Sequence, residues 1–395
     1  MLLLNWSLVV LPEDWQYGGF GLYIHWPFCQ SKCPYCDFNS HVSKSIDQSA
    51  WALAYCNEID RLGIETGERP LRSIFFGGGT PSLMDPDTVA IILRKVRETW
   101  PLSNDIEITL EANPTSVESG RFAGFKDAGI NRVSIGIQAL NDDDLRRLGR
   151  LHTVAEAKAA FDTAANLFER ISFDLIYARQ DQTLSQWESE LTEALAMAGD
   201  HLSLYQLTIE DGTAFGDRMA AGGLLGLPKE DLSADMYQLT QGLCTSTGLT
   251  AYEVSNHAKS GSESRHNLIY WQCGDYVGIG PGAHGRLTLN GIRYATESPK
   301  DPQTWLASVA AGNGELPRQA QSAAEHADEY LMMGLRVTDG IDLTRYGNIS
   351  HSALNSNMIA QLGDIGMVEV SENRLMTTPR GRPVLNAIIR ELLTE

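Results

Sequence analysis

The chain has 395 residues, 43% of them hydrophobic and 21% charged, enough for one large domain and at least one smaller module. Fifty acidic against 31 basic residues leave a net charge of -19, which argues against a grip on nucleic acid phosphates or anionic lipid, since both need clustered Lys and Arg. Three of the six cysteines, Cys56, Cys244 and Cys273, lie far apart without paired spacing, so a disulfide framework is a poor reading and a reducing cytoplasm is expected.

In chain order, the apolar opening MLLLNWSLVV stops at Pro12-Glu13-Asp14, with no basic n-region and no cleavage site. It is too short to span a bilayer, so residues 1–19 are expected to form a leader or an added strand, without stable membrane insertion. Over residues 20–250, β-rich runs at 22–26, 73–79, 106–114, 132–140, 171–178 and 201–207 alternate with amphipathic stretches at 47–65, 85–99, 117–128, 153–169 and 184–198. Six strand-helix units in series imply an α/β fold with a parallel sheet, either a partial barrel or an open doubly wound sheet. In both, ligands gather at the carboxyl ends of the strands. Unusual residues fall there: three glycines and Thr80 in FFGGGTP, Glu111 in TLEANP, Gln138 in SIGIQ and Asp174 in FDLIYA.

Residues 251–318, rich in Gly, His, Ser and aromatics, read as a loop-rich extension. From 319 to 395 a helix, a second helix, a hairpin-like MVEVSENRLMTTPRG and a last helix suggest a mainly α winged-helix-like module. Residues 320–395 hold six Arg, no Lys and ten acidic residues, so packing or partner docking suits this module better than DNA binding.

The remaining cysteines, Cys29, Cys33 and Cys36, sit in CQSKCPYC, and three soft thiolates from one short loop suit zinc or an iron-sulfur cluster. A structural zinc site would need a fourth protein ligand, whereas a 4Fe-4S cluster on three cysteines leaves one iron open.

YIHWPFCQSKCPYCDF, followed by GGGTP, EANP and SIGIQ in that order, resembles the radical S-adenosylmethionine superfamily. The likeness is to the branch of oxygen-independent coproporphyrinogen III oxidase and its haem-chaperone relatives, and it covers nearly the whole chain from about residue 20. The resemblance implies a partial (β/α)6 TIM-like barrel over 20–250. It also implies a 4Fe-4S cluster on Cys29, Cys33 and Cys36, with the fourth iron taken by the amino and carboxylate groups of S-adenosylmethionine. Tyr23, Tyr35, Gly78, Gly79, Thr80, Glu111, Gln138, Arg150 and Asp174 match the cofactor-contact positions, the glycines allowing backbone donors to approach a carboxylate.

Two features divide the branch. The oxidases carry a further cysteine two places after the third cluster cysteine, where this chain has Phe38, and they begin with a longer leading segment. HNLIYW matches instead the H-N-x-x-Y-W signature of the haem chaperones, implying haem contacts at His266, Asn267, Tyr270 and Trp271, with the imidazole as iron ligand and the aromatics against the macrocycle. His284, in the Gly-rich GIGPGAHG, is a secondary candidate. The expected function is haem binding and delivery to an acceptor protein, with an electron donor for the cluster. The alternatives are coproporphyrinogen oxidation and radical chemistry on another substrate.

Overall fold

In the computed structural model, which describes residues 13–43 and 45–393, the six expected strands are β1 (Phe20–Trp26), β2 (Leu71–Gly78), β3 (Leu102–Ala112), β4 (Arg132–Gln138), β5 (Arg170–Tyr177) and β6 (His201–Gln206). Between and after them run α1 (Gln48–Thr66), α2 (Pro86–Thr99), α3 (Phe122–Ala128), α4 (Val154–Leu167), α5 (Leu184–Met197) and α6 (Glu230–Ser246). Local chemistry sets several of these starts. Thr153 with Glu156, and Thr183 with Gln186, form capping boxes that satisfy the first free N–H groups of α4 and α5.

The strands pair in parallel in the order β1-β2-β3-β4-β5-β6, as a series of crossover units requires. Period-2 alternation divides them cleanly. Leu22, Ile24, Ile74, Phe76, Ile108, Leu110, Val133, Ile135, Phe173 and Leu202 are buried on the face that the helices cover, each contributing about 1.5–3 kcal/mol. The opposite face carries Tyr23, Ser73, Phe75, Glu107, Glu111, Arg132, Ser134, Asp174 and Tyr205, and this polar face is where chemistry can be housed.

Residues 251–318 depart from the loop-rich expectation. β7 (Asn256–Ala258) lies antiparallel beside β6, and β8 (Asp275–Ile279) joins the other edge in parallel with β1. β9 (His284–Leu289) and β10 (Ile292–Glu297) continue that edge as a meander, with short strands Thr250–Ala251 and Gln319–Ala320 outermost. Among the described residues the result is one open, mixed sheet of twelve strands rather than a closed barrel. Within this region HNLIYW forms most of a helix, α7 (Arg265–Trp271), capped by Ser264.

The C-terminal module has α8 (Ala323–Gly334), α9 (Leu343–Ser350), α10 (Ser356–Asp364), a hairpin of β11 (Val368–Ser371) and β12 (Arg374–Thr377), and α11 (Leu385–Leu393) around its own apolar cluster. The mainly α winged-helix-like arrangement is borne out, with α9 an additional helix between the two expected before the hairpin. Residues 13–19, expected in a leader, are built into the fold: Trp15 is buried in the main core and Asp14 pairs with Arg345. The rest of that segment lies outside the described residues. No helix among the described residues is long and apolar enough to cross a membrane.

Candidate functional site

At the carboxyl ends of the strands the polar face opens into a cavity of about 590 Å³. Cys29, Cys33 and Cys36 line one side; Gly78, Gly79, Thr80, Glu111, Gln138, Arg150 and Asp174 line it from β2 to β5 and the turns that follow, and Tyr35 closes it from the cysteine loop. The spacing of strand ends brings these dispersed residues together. Tyr23 is the exception, for it is not on the cavity wall: its hydroxyl hydrogen-bonds His25 Nδ1 at 3.0 Å and its ring stacks on Phe75.

One residue that the motif reading passed over organises the thiol side. Asn113, in the same EANP as Glu111, donates from Nδ2 to Thr80 Oγ1 at 3.2 Å and accepts from Arg150 at 2.6 Å. Thr80 Oγ1 donates to Cys29 Sγ at 3.4 Å, and Arg150 reaches Cys33 Sγ at 3.5 Å. Cys29 and Cys33 are thus tied by an unbroken polar chain of three side chains. The signal was available, two positions after Glu111 at the end of β3, but an Asn beside a Pro reads first as a turn.

Gly79 serves a purpose different from the one expected. The N–H groups of Gly79 and Thr80 donate to the carbonyls of Trp26 and Phe28, at 2.7 and 2.8 Å, so they are already engaged rather than turned to a ligand carboxylate. A Cβ at Gly79 would stand 2.7 Å from Phe28 O and 3.1 Å from Cys29 Sγ. Glycine here lets the cysteine loop lie directly on the end of β2.

Burial pushes the Glu111 carboxyl up to about 7, helped by the charge of Asp174 and opposed by a backbone hydrogen bond from Gly78 and by Arg132. Burial likewise lifts Asp174 to about 6, against Arg150 and a hydrogen bond from Gln138. Two carboxyls held near neutrality inside one cavity favour a ligand bearing cationic or hydroxyl groups. Burial also raises the Cys29 and Cys36 thiols, so metal binding there would release protons.

The donor set suits a polynuclear cluster. A cluster takes one thiolate per iron, and Cys29, Cys33 and Cys36 all face one cavity from a single short loop. Acceptors at Glu111 and Asp174 and donors at Arg150 and Gln138 line the same cavity, a set complementary to an amino acid and a ribose.

His266 needs correction as an open iron ligand. It is 1% exposed, at the amino-terminal end of the polar face, with Nδ1 on Ser73 Oγ at 2.8 Å and Nε2 on Tyr270 OH at 2.6 Å. Its ring stacks on Phe75, and with Tyr23 the three rings form a mutually packed triangle. Burial lowers its basicity to about 3, so it is neutral, yet neither nitrogen is free. Asn267, Tyr270 and Trp271 are half-buried on the same helix, away from the cavity.

Residues 23–194 match the model of the Radical SAM superfamily, and residues 321–384 match the HemN C-terminal domain. The chain is 38% identical to the bovine (Bos taurus) mitochondrial radical S-adenosyl methionine domain-containing protein 1, over 94% of this chain and 87% of that protein. It is 36% identical to heme chaperone HemW of Haemophilus influenzae and 35% identical to that of Escherichia coli, each alignment covering 95% of this chain and 98% of the relative. The solved structure of coproporphyrinogen III oxidase (HemN) from Escherichia coli superposes with a TM-score of 0.79 over 96% of this chain and 92% of that one, at 21% identity, a likeness of fold.

Proposed function

Because the chain belongs to the radical S-adenosylmethionine superfamily, in the group that includes the HemW haem chaperones, we propose that it binds haem and passes it to an acceptor protein. The observation that carries this reading is the likeness to HemW across 95% of this chain and 98% of the Haemophilus relative, at 36% identity. Phe38 at the position of the oxidases' extra cysteine agrees with it.

In this reading Cys29, Cys33 and Cys36 hold a 4Fe-4S cluster, and Tyr35, Gly78, Gly79, Thr80, Glu111, Gln138, Arg150 and Asp174 surround S-adenosylmethionine, with Tyr23 supporting from behind. When reduced by an electron donor, that pair supplies one-electron cleavage of the sulfonium to methionine and a 5'-deoxyadenosyl radical. The chain's own part is positional. Arg150 and Asn113 fix the cysteine loop, while Glu111 and Asp174 offer acceptors on the cavity wall. For His266, Asn267, Tyr270 and Trp271 we propose an indirect part in haem handling, as the framework that holds the far end of the polar face. The acceptor is a protein, nucleic acid is not a partner, and the cytoplasm is the proposed location, although the bovine relative is mitochondrial.

The test is one anaerobic preparation assayed in parallel. Reconstitution is expected to give about four irons and four sulfides per chain. Haem uptake without consumption of coproporphyrinogen III is expected; porphyrinogen turnover without haem uptake would replace this reading with the oxidase.

A further inference from the structure

We propose that haem iron is ligated by His41 and His284, on the surface where the segment following the cysteine loop meets the Gly-rich turn. This rests on the haem-binding reading above, and it starts from elimination. Of the nine histidines, His25, His152, His201, His257 and His266 are buried, and His326 packs against Asp14. That leaves His351, which ends α9 on the C-terminal module, and the pair His41 and His284, the first of them close in the chain to Phe38 and Ser40 of the cavity wall.

Asn39 brings the pair's two segments together. Its Nδ2 donates to the carbonyls of Pro281 and Lys300, both at 2.9 Å; its own carbonyl meets His25 Nε2 at 2.9 Å, and its Oδ1 meets His41 Nε2 at 3.2 Å. Gly282 takes φ +73°, and a Cβ there would stand 2.6 Å from Asn39 Nδ2, so only glycine allows the turn to close this tightly. The GIGPGAHG motif thereby acquires a purpose, which is to seat the turn leading into His284 against Asn39. Both His41 and His284 lie near enough to His25 to disfavour its protonation.

The surroundings match the cargo. His41 Nε2 meets only Asn39 Oδ1, at 3.2 Å, a contact that iron would displace, and His284 is 57% exposed, with Glu297 3.9 Å from Nε2, too far for a hydrogen bond that would occupy it. Phe38 and Val42 flank His41, each about three-fifths exposed, and offer apolar surface to a macrocycle. Lys300, exposed and adjacent through the Asn39 bond, is a cation for a propionate. Phe38 also lines the cavity, so haem held here would sit at its rim.

The experiment titrates ferric haem into the reconstituted full chain and into His41→Ala, His284→Ala, the double variant and His351→Ala, following the absorption spectrum and Kd. The wild type is expected to give a six-coordinate low-spin spectrum. Each single variant should turn five-coordinate and high-spin, with affinity weaker by about tenfold, and the double should lose specific uptake, while His351→Ala matches wild type. Unchanged iron-sulfur content and circular dichroism in the variants separate ligand loss from misfolding. A double variant with wild-type spectrum and affinity overturns the assignment and leaves the haem reading standing. A wild-type chain that takes up no haem overturns both.

Discussion

Glu111 and Asp174 face the cavity from β3 and β5, on either side of β4, and neither carboxyl has an arginine within ion-pair distance among the described contacts. Both were legible as carboxylates at the ends of apolar runs, because strand periodicity fixes which face they share. Their elevated basicity was not, since burial is a property of the closed cavity. The sign of the consequence follows from linkage. A carboxyl raised from 4.5 to about 7 stabilises the fold while protonated, and that contribution is lost as pH rises through 7. Glu111→Gln cannot ionise. In urea unfolding of the cofactor-free chain, the variant should therefore gain on wild type between pH 5 and pH 8, by up to about 3 kcal/mol. A difference that stays constant with pH would show that Glu111 is solvated like a surface carboxylate.

At the scale of elements, the six strand-helix units could be read because each strand is an apolar run followed by a helix of its own. The strands of 251–318 could not. β7 has three residues and β8 five, interrupted by Gly, and their place in the sheet is set by partners such as Phe20 opposite Asp275. The same holds for α7, whose meaning depends on Ser73 and Phe75, almost two hundred residues away. A signature built of His, Asn, Tyr and Trp looks like a ligand set, but here the His bridges a strand to its own helix. His266→Ala would leave the Ser73 and Tyr270 hydroxyls unpaired and open a void beside Phe75. Denaturant unfolding should show a loss of about 3 kcal/mol, against about 1 kcal/mol for Tyr270→Phe. Loss of haem uptake in His266→Ala would then reflect a loosened sheet, and Tyr270→Phe, which keeps the imidazole, should retain uptake.

Over the whole molecule, the segment before β1 meets the C-terminal module beside α7. Asp14 receives both Nε and an Nη of Arg345 at 2.8 Å, Arg345 also donates to Gln272 O at 2.9 Å, and His326 lies 3.4 Å from the same carboxylate. The guanidinium covers the Tyr330 ring of α8, while Glu329 of that helix pairs with Arg286 and Arg293 of β9 and β10. Burial alone would raise the Asp14 carboxyl, but the hydrogen bonds and charges of Arg345 and His326 hold it well below the usual range. Its contribution is present above the ordinary carboxylate pKa and fades as pH falls toward its own lowered value. None of this was legible in the sequence, where Asp14 marked only the end of an apolar leader and Arg345 lay 331 residues on. Removing one partner strands a largely buried charge, which costs about 3–5 kcal/mol, more than losing both. Asp14→Ala should therefore raise amide exchange in α8 and α9 ahead of the main sheet. Arg345→Leu in the same background should restore part of that protection, because the stranded guanidinium is gone. If exchange in α8 and α9 did not respond to Asp14→Ala, the Glu329 pairs with Arg286 and Arg293 would be what holds the module, and Glu329→Gln would produce the effect instead.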